Sequence, residues 1–427
     1  MCTPGASGDV AEIIRDGGRG RPPGAPLLRL ALLLAIVAAP VRAGQLPPLA
    51  ARVAKAQKLV EKVRGVPFRA PVASALLPEA RLEEVLGRKL VEDLPVPFEA
   101  YTAGLASVGL IDPSPDLLAR LTRLYVRQVV AFYDPAERRF FVVPERSGGV
   151  AVLQGDLMEQ LLLAHELTHA LQDQRLGLER RMKALRDSTD ALLALQAVLE
   201  GEATAVMTDA LLESVPEEAR EALGGDPLDQ VLDGLEDPAA VDGADGVPDY
   251  FVKELVFPYA AGTAWVRHVR REGGWAAVDA AYRRLPTTTR EILRPGVVLP
   301  PRSRLSAVDL PTPAQVPGGG ASSWSDTFGE WVLGTLLERS GAGDQARDAA
   351  AAWQDDRIVF AAPGAVPGRH GIGFLWRIRA ASPEAASRIA ELLAPLYAAR
   401  PAPTRPRITT RGDLVEVVRP ASPPPPA

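Results

Sequence analysis

Cysteine and histidine are both scarce in this chain of 427 residues, which contains one cysteine, Cys2, and four histidines. A single cysteine excludes intrachain disulfides, and Cys2 precedes everything that looks folded, so any bound metal is expected to take nitrogen and oxygen ligands. A long basic block is also missing, and the net charge is −5. Nucleic acid is therefore not an expected partner.

The sequence also lacks an uninterrupted apolar run of about 20 residues, the length that crosses a bilayer. The apolar stretch at 30–39 is shorter; it follows several arginines and precedes Val41-Arg42-Ala43-Gly44. A basic region, a short apolar region and a small residue before the cut are the layout of a secretory signal. We therefore expect a signal peptide at 1–43, a secreted or periplasmic protein and no stable membrane span after cleavage. An uncleaved anchor is the alternative.

The length and a hydrophobic content of 47% predict a sizeable core and more than one folded unit. Helical patterns dominate from Leu49 onward, and a change of period at 129–133 and 139–143 indicates a β-hairpin. We expect an α+β fold made of a mostly helical domain at 44–340, a small α+β module at 350–420 and a disordered proline-rich tail at 421–427. The module is expected to have strands at 357–361, 374–379 and 413–418 and a helix at 383–399.

Two of the four histidines fall in the string His165-Glu166-Leu167-Thr168-His169, an H-E-x-x-H motif within a predicted buried helix at 156–176. A helix brings residues four apart onto one face, so both imidazoles can bind one zinc ion. Glu166 lies beside them, where it can accept a proton from water at the metal. The simpler interpretation, a pair of hydrogen-bonded core histidines, does not account for the intervening glutamate.

A catalytic zinc site needs a third protein ligand, and the next helical pattern, at 188–212, offers Glu200 and Glu202 on either side of Gly201. Helix positions two apart point to opposite sides, so only one of these glutamates can face the zinc. The pattern does not select between them. A glycine inside a helix loses about 1 kcal/mol relative to alanine, which a close approach between this helix and the motif helix would explain.

The segment His165-Glu-Leu-Thr-His169-Ala-Leu-Gln172, followed by Glu200-Gly201, resembles the zincin metallopeptidases of the gluzincin type. In those proteins a glutamate from a second helix, often followed by glycine, completes a His/His/Glu zinc site. The resemblance implies that His165, His169 and Glu200 bind one Zn²⁺ and that Glu166 is the general base. It also implies a zincin-like fold and a peptide or protein substrate.

A wider similarity covers most of the chain after the predicted signal. The sequence is similar to a little-described group of bacterial and archaeal zincin-like proteins at Tyr133-Asp134-Pro135, 257–262, 273–282, 286–295 and 353–357. It departs from that group at Arg294, where the resemblance implies a histidine before proline.

Two further features are assigned from the resemblance. Zincins are similar to one another in having an edge strand above the metal that pairs with extended substrate; 140–143 is the expected strand, with an ordinary hairpin as the alternative. Tyr259 can donate a hydrogen bond to the oxyanion that forms when water attacks a carbonyl, or serve only as a buried structural tyrosine. His268 is expected at the surface or behind the ligands, and His370 in a loop.

These features together predict an exported zinc metallopeptidase that hydrolyses peptide bonds, with Glu166 accepting a proton from water and returning it to the leaving amine. The alternative is an exported binding or scaffold protein on the same fold, a pseudo-peptidase whose metal is structural or absent.

Overall fold

The computed structural model describes residues 48–92, 94–144, 156–214, 216–217, 241–320, 322–364 and 371–422, with 156–158 described as backbone only. The predicted signal at 1–43, His370 and most of the proline-rich tail lie outside these residues.

Helices make up most of the described structure. In chain order they are α1 (Leu49–Arg64), α2 (Glu79–Glu92), α3 (Phe98–Val108), α4 (Leu117–Gln128), α5 (Asp156–Leu176), α6 (Leu178–Ala184), α7 (Thr189–Ser214), α8 (Asp249–Ala281), α9 (Thr289–Leu293), α10 (Gly329–Arg339), α11 (Gln345–Ala350) and α12 (Pro383–Ala398).

The motif helix α5 has the predicted bounds because a glycine ends it. Gly177 adopts φ +66°, the left-handed conformation that glycine takes without strain, and its N–H donates to the Asp173 carbonyl at 2.8 Å. Helix α7 packs against both α5 and α8. Buried residues occur on every side of α7. For example, six of the seven consecutive residues at 193–199 are buried. The predicted bounds of this second helix, 188–212, differ from the observed ones by two residues at most.

Helix α7 also bears on the membrane prediction. Among the described residues it is the one helix that is long and apolar enough to cross a membrane. Of its 18-residue apolar stretch, 72% is buried inside the protein. A buried core helix has the same length and composition, so the absence of a stable membrane span after cleavage stays a prediction.

The strands form two sheets. They are β1 (Ala73–Leu76), β2 (Ala131–Asp134), β3 (Arg139–Val142), β4 (Ser323–Asp326), β5 (Trp353–Ala361), β6 (Gly373–Ala380), β7 (Arg407–Arg411) and β8 (Leu414–Arg419). The first sheet has the order β1-β3-β2, in which β3 pairs parallel with β1 and antiparallel with β2. The second is antiparallel with the order β4-β5-β6-β8-β7.

The α+β class is confirmed, and the second sheet includes a strand that lies within the predicted domain at 44–340. The second sheet already begins at β4, because Trp324 pairs with Phe360 of β5. One hydrophobic core also joins α3, α4 and the start of α8 to this sheet and to α12. The predicted module strands and helix are confirmed as β5, β6, β8 and α12, and Ser382 caps α12 by accepting from the Ala385 N–H at 3.2 Å.

Candidate metal centre

The structure brings together three side chains from two helices. His165 and His169 lie on α5, and one oxygen of Glu200 on α7, Oε2, lies 3.2 Å from His165 Nε2 and 3.4 Å from His169 Nε2. One ligand atom from each residue lies within 4.8 Å of the other two. The residues that the sequence singled out as metal ligands therefore converge on one point and could hold a metal ion.

The spacing of these atoms can be compared with a metal's requirements. Tetrahedral zinc with bonds of about 2.0–2.1 Å separates its ligand atoms by about 3.3–3.4 Å. The two Glu200–imidazole distances, 3.2 and 3.4 Å, fit those edges. The donor set, two imidazole nitrogens and a carboxylate oxygen, also suits zinc and leaves room in the coordination shell for water. The residues present therefore fit the metal that the motif implies.

The electrostatics of the cluster favour a cation at its centre. Burial alone would raise the pKa of Glu200, but the two imidazoles hold it well below its usual range. Burial alone would lower the pKa of His169, but the carboxylate of Glu200 raises it to about 9. A neutral imidazole that carries its proton on Nδ1 would direct its Nε2 lone pair at a carboxylate oxygen. A proton or a metal ion between them removes that repulsion.

Glu166 lies beside the ligands and is held by the first sheet. Its Oε2 accepts a hydrogen bond from the Tyr133 backbone N–H of β2 at 3.1 Å. Burial raises the pKa of Glu166, while the neighbouring imidazoles act in the opposite direction. The carboxylate is therefore close enough to interact electrostatically with His169, His165 and Glu200, and its proton affinity is above that of an exposed glutamate.

Glu202 does not face the imidazoles. Its Oε1 accepts from Arg64 Nε at 2.5 Å, and its Oε2 accepts from Gln172 Nε2 at 2.8 Å and from the Tyr282 hydroxyl. The choice that the helical pattern left open is therefore decided by position: Glu200 is in ligating reach, and Glu202 belongs to a separate buried cluster. Sequence reasoning gave Arg64 no role, because it lies 138 residues from Glu202 and carries no local signal.

Gly201 lies at a close contact between helices, but the partner differs from the one expected. A Cβ at this position would lie 2.9 Å from Thr263 N and closer still to the Gly262 carbonyl, both on α8. A Cβ at Gly262 would in turn meet the Ala197 backbone. The prediction that Gly201 allows α7 to approach the motif helix is wrong, since the two glycines seat α7 against α8.

Tyr259 reaches the cluster from α8. Its ring lies within 14° of parallel to that of His165, with the centroids 6.2 Å apart, and its hydroxyl is close enough to the Glu200 carboxylate to interact with its charge. The charge of Glu200 and burial raise the pKa of Tyr259, so the hydroxyl keeps its proton and acts as a donor. The position of Tyr259 therefore allows its hydroxyl to donate a hydrogen bond to a group bound at the cluster.

The edge strand beside the cluster is β2. The expectation that 140–143 forms this edge is wrong, because β3 lies in the centre of its sheet between β1 and β2. The Val143 N–H donates to the Val130 carbonyl at 3.0 Å, and this hydrogen-bonded pair fixes the alternation along β2. Residues 130, 132 and 134 direct their backbone groups to β3, and Ala131 and Tyr133 direct theirs to the open edge. The Tyr133 N–H bound to Glu166 is one of these edge groups.

The remaining candidates lie apart from the cluster. Arg294, at the position where a histidine was expected, forms a two-bond ion pair with Glu330, one bond being 2.6 Å long. His268 packs against Gly296. Neither joins the group of possible metal ligands among the described residues.

Comparison with known proteins adds little to this geometry. No family model matches the chain, and no curated protein matches it. A solved structure from Chloroflexus aurantiacus, described as a putative hydrolase with a novel fold, is 19% identical with a TM-score of 0.40. The match covers 64% of this chain and 94% of that one. At this level of similarity the match carries no argument about function.

Proposed function

We propose that this chain is an exported zinc metallopeptidase of the zincin type, in which His165, His169 and Glu200 bind one zinc ion. The observation that carries the proposal is the approach of a single Glu200 oxygen to both Nε2 atoms, at 3.2 and 3.4 Å. The proposed site has three protein ligands, whereas a structural zinc is usually closed by four. Together with Glu166 beside the cluster, this supports hydrolysis over a structural metal site. Export rests on the predicted signal at 1–43.

The residues divide the chemistry of peptide hydrolysis among them. When bound, a zinc ion supplies Lewis acidity, which polarises a carbonyl and eases the deprotonation of water. Glu166 takes the proton of the attacking water and returns it to the amine nitrogen as the C–N bond breaks. Its raised pKa suits both steps, because the same group must hold the proton between them. Tyr259 donates to the carbonyl oxygen as negative charge develops there.

The proposed substrate is an extended stretch of peptide. The open edge of β2 offers the backbone groups of Ala131 and the Tyr133 carbonyl, and an extended chain can pair with these as an additional strand. Because the Tyr133 N–H holds Glu166, this edge lies next to the candidate general base. A peptide paired here brings one of its carbonyls to the cluster without requiring a particular side chain.

The test compares three variants of the full chain. We expect the purified protein to contain one equivalent of zinc and to digest a denatured protein substrate, with activity lost on chelation and restored by zinc. Glu166→Gln should keep the zinc and lose digestion, because the amide cannot accept the proton. His169→Ala should lose the zinc. His268→Ala is the matched control, since it removes a histidine outside the cluster and should change neither property.

Two outcomes would contradict the proposal. If Glu166→Gln digested the substrate as fast as the unaltered protein, the assigned base would be wrong. If the protein bound zinc through these residues but digested nothing, the binding or scaffold alternative would replace the peptidase.

A further inference from the structure

The second glutamate of the Glu200-Gly201-Glu202 sequence is among the most buried carboxylates of the described structure, with 1% of its surface exposed. It is linked to a metal-ligand candidate through one side chain, Gln172, which is also 1% exposed. Gln172 Oε1 lies 2.9 Å from His169 Nδ1, and Gln172 Nε2 lies 2.8 Å from Glu202 Oε2 and 3.0 Å from the Leu199 carbonyl. All three polar contacts of this amide are thus accounted for.

The chemistry of these partners fixes the direction of every bond. A backbone carbonyl only accepts, and so does the carboxylate of Glu202, which also receives donors from Arg64 and Tyr282. The Gln172 NH₂ group must therefore face Glu202 and Leu199, which leaves its oxygen facing His169. An amide oxygen only accepts, so His169 Nδ1 carries a proton. In the neutral ring the lone pair is then on Nε2, the atom that faces Glu200.

The groups that hold Glu202 are themselves held by further contacts. Arg64, 1% exposed, binds Glu202 at 2.5 Å and Asp279 at 2.8 Å, and its guanidinium stacks 4.5 Å from the centre of the Trp275 ring. Asp279 also accepts from Arg175 of α5 at 2.6 Å. Trp275 and Asp279 follow the bend of α8 at Gly274, whose φ of +61° brings the last part of the helix back toward α1. Four helices therefore fix the position of one carboxylate.

We infer that Gln172 and Glu202 are positioning residues that hold His169 in the one tautomer able to bind a metal through Nε2. The inference rests on the proposed metal site, and it assigns to Glu202 a role different from that of Glu200. Glu202 orients the amide, the amide orients the imidazole, and the imidazole presents its lone pair to the cluster. Outer partners of metal-binding histidines commonly change metal affinity about 10- to 100-fold when they are removed.

The experiment measures zinc affinity by competition with a chromophoric chelator. Gln172→Met keeps the length of the side chain and removes both its donor and its acceptor, so we expect zinc to bind about 10- to 100-fold more weakly. Gln174→Met is the matched control, because Gln174 lies two residues further on α5 and bonds the exposed backbone of Arg69 and Ala70 instead. It should bind zinc like the unaltered protein.

A second measurement separates orientation from a general loss of structure. In the zinc-loaded protein with ¹⁵N-labelled histidine, the Nδ1–H of His169 should give a proton signal protected from exchange with water. Gln172→Met should lose that protection while the other histidine signals remain. Glu202→Gln, which keeps the shape of the side chain, should shift the same signal. This variant provides the test if Gln172→Met fails to fold.

The outcomes are distinguishable. An unaltered protein that takes up no zinc overturns the proposed function and this inference together. If the unaltered protein, Gln172→Met and Glu202→Gln all bind zinc with equal affinity, and the Nδ1–H signal of His169 is unchanged, only the inference is overturned. Weaker binding with loss of protection at His169 alone supports it.

Discussion

Replacing Gly201 by alanine adds one methyl group at the contact between α7 and α8, next to the proposed ligand Glu200. The new Cβ would lie 2.9 Å from Thr263 N and nearer still to the Gly262 carbonyl, whereas ordinary contacts begin at 3.4 Å. Both atoms belong to the backbone of α8 and cannot turn away as a side chain would. The Gly262 carbonyl is the limiting contact, and the two helices must separate by about 1.2 Å to restore an ordinary distance to it.

The magnitude follows from two opposing effects. Overpacking of a closed interior typically costs about 1–3 kcal/mol, and a contact with helix backbone belongs at the upper end of that range. Alanine returns about 1 kcal/mol because it favours the helix more than glycine does. We therefore expect a net loss of about 2 kcal/mol in the free energy of unfolding. Zinc affinity should fall as well, because a metal site tolerates ligand displacements of only about 0.2 Å.

Urea unfolding measures the first quantity and chelator competition the second. Gly87→Ala is the matched control: Gly87 lies within α2, and a Cβ there would meet Thr122 only at 3.5 Å or more. That variant should be more stable by up to about 1 kcal/mol and should bind zinc normally. A Gly201→Ala protein as stable as Gly87→Ala would refute the argument that the two glycines are required by close packing.

Two further predictions concern single side chains. Tyr259→Phe should keep its zinc and lose about 100-fold in turnover of a peptide substrate, because it removes one proposed donor to the oxyanion; unchanged turnover would leave the tyrosine a structural role. Asp190, at the start of α7, accepts two hydrogen bonds from Thr289, and burial raises its pKa to about 8. Since the folded protein then retains a proton that the unfolded chain loses, the contribution of Asp190 to stability is greatest below about pH 4 and is lost as the pH rises to about 8. Relative to Asp190→Asn, the unfolding free energy should therefore decrease by at most about 1.4 kcal/mol per pH unit over this range, and equal pH profiles for the two proteins in urea unfolding would contradict the assignment.

Local sequence signals predicted the elements that carry the site. The motif helix α5, its end at Gly177 and the hairpin of β2 and β3 all follow from residues adjacent in the chain. Strand β1 was missed, because four residues that pair with a distant strand leave little local pattern. That omission caused the error about the edge strand: with β1 on one side of β3, the free edge beside the candidate metal ligands is β2.

The candidate site was predictable where the chemistry imposes a spacing. His165, Glu166 and His169 lie within one helical turn, so their proximity follows from helix geometry alone. Glu200 was favoured over Glu202 only through resemblance, and the structure supplies the physical reason, since Glu202 is already paired with Arg64. Sequence offers no rule that joins a basic residue ending α1 to a carboxylate 138 residues away.

Three successive residues of α7 explain why this helix is buried on every side. Glu200 faces the imidazoles of α5, Gly201 faces the α8 backbone, and Glu202 faces Arg64 of α1. Successive residues on a helix are about 100° apart, so three consecutive positions with three different partners require neighbours around most of the helix. A helix enclosed in this way must be apolar elsewhere, which gives α7 both its sequence pattern and its resemblance in composition to a membrane span. The hydrophobicity of α7 thus follows from its enclosure by α1, α5 and α8.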